Sequence, residues 1–172
     1  IQFNGELYNE EIDTNGVHEN DVKFILNTLE SLLQDCIKNN INDEKIVEEC
    51  LIKTIGKLEG EFAYAITDKI SNKIYFGKDQ LGKKSLAFCV KNDSAEEGCE
   101  LFISSIVPSD EAQKEFFCEC KNAIIYVFDL ESHILNEINF DDKEDLPKSY
   151  TVKNFIAGSN DNEDFSEKEL IN

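Results

Sequence analysis

Phe3-Asn4-Gly5-Glu6-Leu7-Tyr8-Asn9 is the stretch on which the reading of this chain turns. Ile1, Gln2 and Phe3 read as the end of a buried strand, and Asn4-Gly5 as the break that ends it. Asn and Gly tolerate positive φ, so the backbone can turn sharply there and leave its N–H groups unpaired. Glu6 follows at once. A side-chain amide, a glycine N–H and a carboxylate therefore fall within three residues. An amide and a backbone N–H are the donors that stabilise an oxyanion, and a carboxylate can hold an ammonium group. Taken alone, the stretch reads first as a turn, since Asn-Gly is the commonest two-residue hairpin connection.

Downstream, residues 10–18 are polar and contain Asn15-Gly16, which predicts a loop. Asn20 is a natural N-cap for the helix that Asp21 opens. Val22, Ile25, Leu26, Leu29, Leu32, Leu33, Cys36 and Ile37 recur at three- and four-residue steps, one continuous apolar stripe. A second helix is expected from about Asp43 to Ile55, stopped by Gly56. Two adjacent amphipathic helices need a sheet beneath them.

The period then changes. In Glu61-Phe62-Ala63-Tyr64-Ala65-Ile66-Thr67 large residues alternate with small ones, which predicts a strand with one bulky and one close-packed face. Asp68 to Asn72 is its turn and Lys73 to Gly77 the returning strand. Strands are also expected at Leu86–Val90 and Leu101–Ser105. A hairpin around Lys121-Asn122 joins Phe116–Cys120 to Ala123–Leu130, and Ile134–Phe140 adds a last strand. From Asp141 the apolar pattern fades into an acidic segment, expected to be linker or tail over 141–172.

Three of these segments carry a family resemblance. Asn4-Gly5-Glu6-Leu7-Tyr8-Asn9 resembles the NGE-[aliphatic]-YN signature of the glutaminase domain of asparagine synthetases, class II glutamine amidotransferases of the N-terminal-nucleophile hydrolase superfamily. Leu58-Glu59-Gly60-Glu61-Phe62-Ala63 resembles that family's L-x-G-x-F-A. Lys78-Asp79-Gln80-Leu81-Gly82-Lys83-Lys84-Ser85-Leu86 resembles its RD-x-x-G-x-[KR]-P-L, with Lys78 for the usual Arg and Ser85 for the usual Pro. The Ser is similar to the asparagine synthetase domain-containing branch. Purine-pathway amidotransferases usually lack the Glu and Tyr found here at Glu6 and Tyr8.

The resemblance covers about residues 1–140 and implies an α+β fold, part of an αββα four-layer sandwich. It implies that the side chain of Asn4 and the N–H of Gly5 form the oxyanion hole, and that Glu6 and Asp21 bind the substrate ammonium. Asp21 also reads simply as a helix-opening acid favoured by the dipole. The family's nucleophile is an N-terminal cysteine, and no residue of this chain takes that role. The chain is thus expected to be an N-terminally shortened glutaminase domain, inactive alone. Its partners would be glutamine and a downstream synthetase domain of the same polypeptide that amidates aspartate. No cofactor is implied for the domain itself, ATP and Mg being expected only in the synthetase part. The other reading is a non-catalytic scaffold or regulatory domain that has lost the nucleophile.

Composition sets the outer bounds. A chain of 172 residues with 41% hydrophobic residues suits one domain with a real core. It contains no Met, so no initiator, and no Arg, so that its 17 basic residues are all Lys against 36 acidic ones. A net charge of -19 argues against nucleic acid or an anionic membrane as partner. No apolar run has the length of a membrane span and no signal segment opens the chain, so a cytoplasmic protein is expected. Its six cysteines are then expected to be reduced. Cys118-Glu119-Cys120 is too tight for the usual zinc pair, and His18 and His133 are the only histidines, so no metal is expected.

Overall fold

The computed structural model describes residues 1–10, 13–14, 17–18, 20–38, 44–93, 98–107, 109, 116–139 and 148–151. The elements are β1 (Gln2–Leu7), β2 (Asp13–Thr14), β3 (Val17–His18), α1 (Asp21–Lys38), α2 (Glu44–Gly56), β4 (Gly60–Asp68), β5 (Lys73–Lys78), β6 (Ala87–Asp93), β7 (Gly98–Ser104), β8 (Cys118–Glu119), β9 (Ile124–Asp129), β10 (Ile134–Asn139) and β11 (Lys148–Thr151). A six-stranded sheet runs β1-β4-β5-β9-β10-β11, every pair antiparallel. A three-stranded sheet runs β7-β6-β8, and β2 and β3 pair as a two-stranded sheet within the stretch expected to be a loop.

The larger sheet is buried on both faces, and the alternation in β4 explains how. Phe62, Tyr64 and Ile66 join Leu7, Tyr75, Ile125 and Val127 under Ile25 of α1 and Leu51 and Ile55 of α2. On the other face Ala63, Phe76, Tyr126, Phe128 and Leu135 pack against Phe88 and Val90 of the smaller sheet and against Leu86 and Cys120 flanking its strands. The described layers are therefore helix, sheet, sheet. The small residues of β4 let the second sheet approach, and Phe76 fills the gap between Tyr126 and Phe88, with ring centroids 5.1 and 5.4 Å away.

Helix α1 begins as expected. The Asn20 side-chain oxygen accepts the Lys23 N–H at 3.3 Å and its carbonyl accepts Phe24 N–H at 2.9 Å. Ile25 is buried, with Phe24 and Leu29 packed on the same core, while Leu26 at the stripe's edge is 47% exposed. The side chains of Cys36 and Ile37 lie outside the described residues.

Three expectations need correction. Asn4-Gly5 does not break the first strand, because β1 runs through both in unbroken register with β4, from Gln2 opposite Ala65 to Leu7 opposite Gly60. Nor is Ile1–Phe3 buried: Ile1 is 40% exposed and β1 is an edge strand. The hairpin around Lys121-Asn122 does not form. Cys118 pairs with Phe88 in the smaller sheet, whereas Ile124 onward pairs with β5 and β10 in the larger one. Residues 120–123 are a crossover between sheets, with Ala123 in the left-handed region at φ 59. The larger sheet also takes in β11, inside the stretch read as tail, while 152–172 lies outside the described residues.

Candidate active site

Asn4, Gly5, Glu6 and Tyr8 owe their arrangement to the register of β1 on β4. Phe3 and Leu7 face the helices. Asn4, Glu6 and Tyr8 therefore share the opposite face, since side chains alternate along a strand. Asn4 lies opposite Ala63 and Glu6 opposite Glu61. Asn4 and Glu6 are exposed, and their side chains have no hydrogen-bond or ion-pair partner among the described residues.

The direction of the Gly5 N–H follows from parity. Tyr8 N–H donates to the Glu59 carbonyl at 2.6 Å, so even-numbered residues of β1 point their amides at β4. Phe62, opposite Gly5, has both its backbone groups turned the other way. Its N–H donates to Asp79 Oδ2 at 2.8 Å and its carbonyl accepts Asp79 N–H at 3.0 Å. Gly5 and Phe62 are thus a non-hydrogen-bonded pair, the kind in which the chains come closest. Gly5 accordingly has φ 154, and a Cβ built on it would lie 2.1 Å from the Glu61 carbonyl oxygen. Its N–H points out of the sheet, at an edge where no described strand pairs.

The field around this edge is negative. Glu6 and Glu61 are cross-strand neighbours, a spacing at which side chains interact directly. Lys83 from the loop after β5 forms an ion pair with Glu61, while Glu6 has no cation partner among the described residues. Tyr8, 55% exposed, has its phenol pushed above its ordinary value by lost hydration first, then by Glu61 and Glu6.

Asn9, last residue of the motif, received no role from sequence. It is buried, donates its amide N–H to the Lys57 carbonyl at 2.7 Å and accepts the Glu59 N–H at 2.9 Å. It ties the end of β1 to the α2–β4 connection. We expect Asn9→Ala to cost about 1–3 kcal/mol in urea unfolding, two hydrogen bonds being lost at once. A change below about 0.5 kcal/mol, the range of ordinary surface substitutions, would show that water replaces the tie.

Asp21 is placed differently. It opens α1, in the layer that covers the other face of the sheet. Three of the four predicted residues are therefore adjacent on one strand, and the fourth belongs to the helix that touches that strand.

A cysteine nucleophile needs a lowered thiol pKa, and four of the described cysteines show the opposite. Burial pushes the thiols of Cys89, Cys99 and Cys118 up, and that of Cys120 to about 12. Among the described residues no three His, Cys, Asp or Glu are grouped to hold a metal, and no helix is long and apolar enough to cross a membrane. A shallow concavity lined by Asn9, Phe24, Thr28, Gly56 and Leu58 lies on the helix side. Its lining, which also includes Lys57 and Glu59, contains no thiol.

The sequence description of the glutamine amidotransferase domain family matches residues 1–107. An asparagine synthetase domain-containing protein of Saccharomyces cerevisiae is 35% identical over 136 residues, covering 79% of this chain and 21% of that protein. The chain thus spans about a fifth of that relative's length. Among solved structures, the glutamine phosphoribosylpyrophosphate amidotransferase of B. subtilis superposes with a TM-score of 0.55 over 81% of this chain and 28% of that one. At 11% identity that likeness concerns the fold, which is of the N-terminal-nucleophile hydrolase type.

Proposed function

This chain belongs to the glutamine amidotransferase domain family, and from that premise we propose that it binds glutamine along the open edge of β1 and assists hydrolysis of its amide. The observation that carries the reading is the Gly5/Phe62 pair, which turns the Gly5 N–H outward beside the unpartnered Asn4 amide. One peptide separates these donors, so a single oxygen outside the edge can accept from both. That oxygen is the anion formed when a thiolate attacks the carboxamide carbon. The thiolate comes from a cysteine other than those described here, the N-terminal one that the resemblance implies.

The same edge suits the other end of the substrate. Glu6 is the carboxylate with no cation partner among the described residues, on a face whose negative field favours an ammonium. Asp21 would approach the edge from the helical side. Both carboxylates serve substrate binding in this reading, with the Asp21 charge also favoured by its helix N-terminus. The ammonia released would go to an ATP-dependent domain of the same polypeptide that amidates aspartate. ATP and Mg belong to that domain alone. The relative of the same branch and the NGE-[aliphatic]-YN signature support this choice of acceptor.

The test is ammonia release from glutamine by the protein expressed from its complete reading frame, with Glu6→Gln and Asp21→Asn as variants. An ammonium bound in ground and transition states alike loses a charge-assisted bond, worth about 1.5–3 kcal/mol. KM for glutamine should therefore rise roughly 10- to 100-fold with kcat nearly kept. Ammonia-dependent amidation of aspartate, which bypasses the site, should keep its rate. Equal losses with glutamine and with ammonia would refute the assignment, and a complete protein that releases no ammonia would refute the function.

A further inference from the structure

Asp79 is buried, 3% exposed, and its carboxylate is wholly occupied by backbone amides. Oδ2 accepts Phe62 N–H at 2.8 Å, while Oδ1 accepts Leu81 N–H at 2.7 Å and Gly82 N–H at 2.9 Å. Its own N–H donates to the Phe62 carbonyl at 3.0 Å and its carbonyl accepts Ala123 N–H at 3.3 Å. The register explains why an aspartate stands here. Lys78 pairs with Ala63, so residue 79 falls opposite Phe62, where a regular ladder would send Phe62 N–H to the backbone carbonyl of 79. That carbonyl has turned to the crossover at Ala123. The side chain takes its place, and the strand can leave the sheet without orphaning a buried amide.

The consequence falls on Gly5. A Cβ built on Gly5 would meet the Glu61 carbonyl oxygen and Phe62 Cα, so the Gly5 backbone lies close against that of Phe62, between the pairs Asn4/Ala63 and Glu6/Glu61. Phe62 is in turn located by Asp79, which holds both of its backbone groups. We infer that Asp79 is a positioning residue: acting through Phe62, it fixes the Gly5 N–H at the place where the anion forms. This rests on the glutamine reading above. Gly82, at φ 64 and with no room for a Cβ beside Asn122, belongs to the same device, since it lets the loop fold back over the carboxylate.

Asp79→Asn preserves shape but sets an NH₂ against amide donors. Asp68→Asn is the matched control, because Asp68 caps the far end of the same strand through Ile70 N–H and the Ser71 hydroxyl. In the complete protein, Asp79→Asn should lower kcat for glutamine about 10- to 100-fold, the cost of an oxyanion donor misplaced by a fraction of an ångström to one ångström. KM should stay within about twofold. Asp68→Asn, compared at a temperature equally far below its thermal midpoint, should keep kcat within about twofold. Parallel falls of kcat in both variants, or a rise in KM alone for Asp79→Asn, would overturn the inference. A second readout stands apart from turnover. In the ¹⁵N–¹H spectrum the Gly5 amide should shift in Asp79→Asn and stay put in Asp68→Asn. A Gly5 amide that stays put while those of Leu81 and Gly82 move would overturn it too. If the parent protein does not hydrolyse glutamine, the functional reading falls, and the amide measurement still decides the positioning.

Discussion

Asn4→Ala should lower kcat for glutamine hydrolysis about 10²–10³-fold in the complete protein, equivalent to about 2.7–4 kcal/mol, with little change in KM. The split follows from when the bond matters. In the bound substrate the carboxamide oxygen is a neutral acceptor that water satisfies nearly as well. When the thiolate adds, that oxygen carries a full charge, and a donor already aimed at it needs no reorganisation. Asn4 meets that description: its side chain is exposed on an edge strand, with no partner among the described residues, one peptide away from an outward N–H. The variant should fold, since the Asn4 side chain is exposed and Asn4 pairs with Ala63 of β4 through its backbone. Steady-state kinetics with glutamine and with ammonia separate the outcomes. Unchanged glutamine-dependent kcat would mean that Asn4 serves the strand alone, and that Gly5 or another donor carries the anion.

The residue types of this site were legible in the sequence, but their orientation was not. Asn-Gly is locally a turn signal, and only pairing with Glu61–Ala63, more than fifty positions away, makes it part of a strand. Whether the Gly5 N–H points at β4 or away from it depends on the parity of that register, which neither composition nor spacing encodes. The helices and β4 were legible for the opposite reason. Their periods of 3.6 and 2 are carried by the residues themselves, as Phe62-Ala63-Tyr64-Ala65-Ile66 displays. The crossover at residues 120–123 was misread because two strand-forming runs flanking Lys121-Asn122 look local, while their partners, Phe88 on one side and β5 on the other, are not. Asn9 and Asp79 stand in the two motifs, but their roles were not legible, since each acts by capping backbone groups distant in sequence. The layer that Asp21 occupies was likewise not legible, since only the fold sets α1 against β1.

Gly5→Ala should be the most damaging single substitution to stability along β1, costing about 3–5 kcal/mol where total stability is typically 5–15 kcal/mol. Two effects add. At φ 154 an L side chain is strained. The added Cβ would also lie 2.1 Å from the Glu61 oxygen and 2.6 Å from Phe62 Cα, where carbon–oxygen contacts normally close to about 3.3 Å. Both neighbours are backbone, so no side chain can swing aside. Relief requires β1 to move away from β4, and that withdraws Leu7 and Phe3 from the core beneath the helices. It also displaces the Gly5 N–H, so glutamine hydrolysis should fall together with stability, unlike in Asn4→Ala. Gly56→Ala is the control: nothing lies within 4 Å of its added Cβ, at the end of α2, and the substitution should be neutral or stabilising by up to about 1 kcal/mol. Paired urea denaturation curves decide the matter. If Gly5→Ala unfolds at the same midpoint as Gly56→Ala, β1 and β4 are not held at the close, non-bonded spacing from which the direction of the Gly5 N–H was derived.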